Sequence, residues 1–195
     1  MIVHIEMGPG FLATCGELSS MGRQVALACN EGLKEGGKLA AGRVVSDYLS
    51  GQALKTRTGA LRRAVDTWSV GFLEVAVGVR PRSAVDKYAW LLSDEEKTIV
   101  PKKSKFLAIP IGEGLTASGV ARYSSPREVK DGFFVSTKGR LLFGIRRGKK
   151  GKFRPLFTLV KSVFVQGSGA LYDGVEDSLD DITALIERQI EKVTG

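Results

Sequence analysis

His4 is the single histidine in this 195-residue chain, and Cys15 and Cys29 are its two cysteines. One histidine with two cysteines fourteen positions apart offers no zinc-ligand spacing. The cysteines read as buried thiols ahead of a disulfide. With His4 as the only imidazole, no Ser/His/Asp order is credible. The acid clusters Asp94-Glu95-Glu96 and Glu176-Asp177 are of the type that serves as paired general acid and base, but such clusters more often lie on solvated helix faces. The stretch GEGLTASG lacks the Gly-Lys-Ser/Thr ending of a phosphate loop and opens no helical pattern. The reading therefore expects no catalytic residue, no metal ligand, no cofactor-binding residue and no cofactor.

The basic residues carry the stronger signal. From Lys138 to Arg154 there are eight lysines and arginines and no acid. Six of them, Arg146, Arg147, Lys149, Lys150, Lys152 and Arg154, sit in or beside a glycine-punctuated stretch between two apolar runs. Lysine and arginine replace counterions on phosphates, so a strand–turn–strand carrying them can track a nucleic-acid backbone. A single-strand reader usually adds aromatic rings, and Phe153 is the only one close by in sequence. The same block also reads as a charged hairpin tip that discourages edge pairing. From Asp173 to Glu191 the balance reverses, with seven acids against Arg188. Asp173, Glu176, Asp177, Asp180 and Asp181 fall in the first half of that stretch. One copy's basic end is thus suited to attract the acidic end of another. The net charge of +8 points to an anionic partner. No apolar run reaches the ~20 residues of a membrane span, and no basic leader precedes the first apolar residues, so the expectation is a cytoplasmic protein without a membrane partner.

These residues must be positioned by recognisable elements. Residues 2–7 alternate weakly and suit a short strand. Residues 21–49 have a helical pattern weakened by Gly32, Gly36, Gly37 and Gly42, which implies close packing or a kink. Thr58 suits the cap of a short turn through Ala64. VDTWSVGFLEVAVGV reads as a hairpin turning near Gly71-Phe72, and AVDKYAWLLSDEE as a short helix. TIVPKKSKFLAIPI is extended, with Pro101 and Pro110 marking edge or irregular positions. Residues 112–131 show no periodicity and form a long loop. FFVSTKGRLLFGI and FRPLFTLVKSVFV supply antiparallel strands. Residues 170–193 carry the clearest helical stripe. The fold class expected is α+β: a long N-terminal helix, an antiparallel sheet with extended hairpins, and a C-terminal helix packed on the sheet, all in one domain over 1–195.

The strings LKTRTGALRRAV, YAWLLSDEEKTIVPKKSKFLAIPI, GVARYSSPREVKD, LLFGIR and FRPLFTLVKSVFV together resemble the tail-completion or head–tail joining (neck) proteins of long-tailed bacteriophages. This group includes the lambda minor tail protein Z and the Mu virion morphogenesis protein. The resemblance runs from about Leu54 to the C-terminal helix. It implies a non-enzymatic virion protein, made in the host bacterial cytoplasm, that forms a homo-oligomeric ring of roughly six or twelve copies. The ring would lie between the head connector and the tail terminator or tail tube proteins, in non-specific contact with double-stranded DNA. On that reading Arg146, Arg147, Lys149, Lys150, Lys152 and Arg154 touch an acidic neighbour or the DNA channel. Arg122, Tyr123, Arg127 and Glu128 serve as a subunit or partner loop, in which Arg122, Arg127 and Glu128 pair and Tyr123 anchors. Asp173, Glu176, Asp177, Asp180 and Asp181 form an acidic interface. The competing reading is a basic nucleic-acid-binding module outside any virion.

Overall fold

The computed structural model describes residues 1–6, 8, 20–50, 59–137, 139–146 and 151–195. The chain has the α+β composition expected, with an N-terminal helix, a C-terminal helix and antiparallel sheets. It divides into two compact units: Met1–Glu95 with Gly167–Gly195, and Glu96–Gln166 inserted between them.

The first unit is built on a three-stranded antiparallel sheet. β1 (Ile2–Glu6) and β2 (Val65–Gly71) flank β3 (Glu74–Val79). β3 is central, and Val75, Val77 and Val79 are all buried, as a fully covered strand requires. The hairpin turns at Phe72-Leu73, one residue beyond the expected position. Leu73 takes a left-handed φ of 61° that a branched side chain ordinarily avoids. Two contacts hold it there: its side chain is buried, and its N–H donates to the buried Asn30 Oδ1 at 3.2 Å.

A long helix, α1 (Ser20–Arg43), packs on this sheet and runs into a π-helical turn, Val44–Tyr48. Cys29 is fully buried within it; Cys15 and Thr58 lie outside the described residues. The glycines now have an explanation. A Cβ on Gly32 would stand 2.7 Å from Ile186 Cα, one on Gly36 2.8 Å from Ile182 Cγ2, and one on Gly37 2.6 Å from Val75 Cγ1. Real Cβ atoms do not approach that closely, so glycine here lets two elements meet. Gly42 has nothing within 4 Å and takes no part.

Short elements complete the unit. α2 (Ala60–Ala64) leads into β2, and a 3₁₀ helix, Asp86–Leu92, buries Ala89 and Leu92.

The second unit holds a four-stranded antiparallel sheet and a separate ribbon. The ribbon pairs β4 (Glu96–Ile99) with β9 (Val163–Gln166). The sheet runs in the order β5 (Leu107–Pro110), β8 (Phe153–Val160), β7 (Arg140–Arg146), β6 (Phe133–Thr137). Pro110 sits on the outer strand, as its missing N–H demands. Pro155 sits on a central strand, and the ladder slips beside it, between Phe143 and Gly144. Phe143, Leu156 and Phe157 form a small core, with Tyr123, Val129 and Leu159 packed around it.

The chain then returns to the first unit. The expected single C-terminal helix is two helices, α3 (Ala170–Glu176) and α4 (Leu179–Thr194). Ser178 N–H bonds back to Val175 C=O at 3.0 Å, one residue short of the α-helical span, and the tightened turn separates them. The apolar stripe continues through the break because both helices cover one core with Leu171, Val175 and Ile182. The packing also differs from expectation. The main partner of α4 is α1 rather than the sheet, since Gly32 and Gly36 open a seat for Ile186 and Ile182.

Candidate assembly surfaces

The acidic surface is carried by α3 and the first turn of α4. Acids suit the positive end of a helix, and Asp180 and Asp181 occupy the first turn of α4. Two of the five acids are engaged inside the unit. Arg43, the last residue of α1, donates to the Asp177 carbonyl oxygen and, through Nη2, to Asp181 Oδ2 at 2.7 Å. Tyr48 Oη donates to Asp177 Oδ2 at 2.5 Å. That bond to a carboxylate, then partial burial and the nearby negative charges, push the Tyr48 phenol up to about 12. Glu176, Asp173 and Asp180 remain exposed. The described acids therefore divide into Asp177 and Asp181, which tie the α3–α4 junction and α4 to the C-terminal end of α1 and its π-helical turn, and three without such a tie.

The basic residues of β7 and β8 also divide. Arg146 ends β7 and places its guanidinium 5.5 Å from the centre of the Phe133 ring. Phe133 in turn packs in a tilted contact, ring centres 5.3 Å apart, with Phe153, which pairs with Arg146 across the strands. Lys152 is exposed just before β8. Arg154 lies within β8, where its Nη1 meets Glu113 Oε1 at 2.5 Å, so its charge is engaged inside the unit. Arg147, Lys149 and Lys150 lie outside the described residues.

The 112–131 loop is held by its own bonds. Arg122 N–H donates to Gly114 C=O, and Arg122 Nε to Leu115 C=O, both at 2.9 Å. Thr116 and Val120 close a turn between them. Arg122 therefore clips the loop instead of pairing with Glu128. Glu128 accepts from the hydroxyl and the N–H of Ser124, and these two bonds hold its carboxyl below the usual range. Arg127 is exposed in a 3₁₀ turn, Pro126–Glu128. Tyr123, expected to anchor a neighbour, packs instead against the Phe143 core of its own unit.

The two units differ sharply in charge. Residues 96–166 contain 16 lysines and arginines against 4 acids, while the rest of the chain contains 13 against 17. The sequence reading located the basic and acidic runs, but not the unit boundary that turns them into a +12 body and a −4 body. It also missed Phe133, which lies 20 positions before its ring partner Phe153. The aromatic and β-branched run Phe133–Val135 signals a strand but not its pairing partner.

Among the described residues, no three His, Cys, Asp or Glu side chains come together as a metal would require, and no helix is long and apolar enough to cross a membrane. His4 Nδ1 lies 2.5 Å from Glu74 Oε1. No protein-family model, curated protein or solved structure matches the chain.

Proposed function

We propose that this chain is a structural, non-catalytic subunit of the bacteriophage neck, completing the tail and joining it to the head as one member of a ring around the DNA channel. The observation that carries the reading is the division of charge between the two units, +12 against −4. Subunits of a closed ring meet through two unlike surfaces, and opposite charge is what such a pair needs for orientation and fast encounter. The motif string from Leu54 onward supports the same reading. Its partners would be further copies of itself, the adjacent head connector and the tail terminator or tail tube proteins. Arg146 and Lys152 would meet a neighbour or the DNA that passes through.

The test is to delete the reading frame in its source genome, induce particles and image the lysate. DNA-filled heads lying apart from finished tails are expected. Joined particles in the deletion strain would overturn the proposal. Charge reversal at Arg146, Arg147, Lys149 and Lys150 is expected to lower particle assembly and infectivity.

A second reading is favoured by one specific observation. The Arg146–Phe133–Phe153 cluster puts a cation and two rings together on a basic unit, which is what a nucleic-acid-binding module uses. That reading expects tight binding of naked nucleic acid that falls steeply as salt rises. A neck subunit needs only weak binding without sequence preference.

A further inference from the structure

A groove of about 390 Å³ lies along β1. One wall is consecutive residues of that strand, Val3 to Glu6; the other is Tyr172, Val175, Glu176 and Leu179 of α3 and α4. Among the described residues β1 is an outer strand of its sheet, and an outer strand presents backbone groups that can pair with another chain. The floor is apolar, made by the inward-facing Val3, Ile5 and Val175. Tyr172 and Leu179 are 56% and 48% exposed, a high value for large apolar side chains that flank a groove. The exposed acids Glu6 and Glu176 line it as well.

We propose that this groove takes the segment Val100–Lys105 of a second copy, whose bends at Lys102–Lys105 would straighten along β1. This segment joins β4 to β5 in the basic unit. Val100 is 57% exposed, and Lys102, Lys103 and Lys105 are exposed after it. Its order of apolar residue and then lysines complements an apolar floor flanked by two acids. Pro101 lacks an N–H, so the segment suits pairing along one side only, as an added outer strand has. The contact would run from the +12 unit of one copy to the −4 unit of the next, which is the head-to-tail geometry of a ring. The inference rests on the assembly reading given above and supplies a contact for it.

The test uses the full chain and a synthetic peptide covering Lys97–Phe106. Fluorescence anisotropy of the labelled peptide is expected to show saturable binding that weakens with salt. Backbone amide shifts are expected on β1 and on Tyr172–Leu179. Glu6→Lys with Glu176→Lys is expected to weaken binding at least about tenfold. A peptide with its lysines changed to glutamate is expected to prefer that double variant over the native chain. Tyr172→Ser, at an exposed position, gives a second variant that keeps the fold and loses affinity. Absence of saturable binding overturns the proposal, as it would if the chain's own residues already fill the groove. Shifts elsewhere, or binding indifferent to both variants, overturn it equally. The particle experiment is separate. Peptide binding with normally joined particles would retain the groove and remove the neck; unjoined particles without peptide binding would do the reverse.

Discussion

At the scale of single residues, the informative contacts join positions far apart in sequence. Tyr48 and Asp177 are 129 positions apart, and Arg43 reaches Asp181 across 138. Composition showed the acids; it did not show which of them Arg43 and Tyr48 engage, because no local period links such distant groups. The phenol offers a clean test. With its pKa raised from 10.0 to about 12 in the folded protein, any stability from this bond is complete below pH 10 and is lost as pH climbs toward 12. Phenolate absorbance should therefore show a late phase from Tyr48. Tyr48→Phe should remove that phase, and Asp177→Asn should bring it back toward 10.0. Glu128 has the opposite sign. Its carboxyl is held down by Ser124, so the contribution is present at neutral pH and fades as acid protonates the group. Ser124→Ala should move the Glu128 titration upward in a carboxyl-detected NMR series.

At the scale of elements, what was legible followed from periodicity. The valines of β3 alternate with residues that also end up buried, and the flanking turn residues marked the hairpin. The stripe of α3 and α4 was equally clear, but it hid the break at Ser178, since both helices present apolar residues to one core. The glycines of α1 announced a close approach without naming its partner. That distinction can be measured. Gly42→Ala meets nothing and should stabilise the protein by about 0.5–1 kcal/mol through helix propensity. Gly32→Ala meets the backbone of Ile186 and should destabilise it by about 1–3 kcal/mol. Urea unfolding midpoints of the two variants should move in opposite directions. The loop at 112–131 lacked any period because its order comes from Arg122 and Thr116 bonding to nearby backbone and from Tyr123 reaching a core, none of which repeats.

At the scale of the molecule, the division into two units was not visible in the sequence, because the chain leaves and rejoins the first unit without a linker of distinctive composition. Glu95 and Gly167, which bound the inserted unit, are hydrogen-bonded neighbours: Gly167 N–H donates to Glu95 C=O at 2.9 Å, and Ser168 N–H to Leu91 C=O at 2.9 Å. Any side chain at 167 would strike the Ser93 carbonyl, since a Cβ there would lie 1.8 Å from that oxygen. Residues 96–166 should therefore be removable in favour of a short Gly-Ser turn at a small loop-closure cost. The shortened chain should unfold cooperatively by circular dichroism; loss of the transition would show that the first core depends on the insert. The same juncture makes the insert a cassette. A different 70-residue-scale module could be grafted between Glu95 and Gly167 without redrawing the helices and sheet that hold them, so the inserted unit is free to diversify while its scaffold stays put.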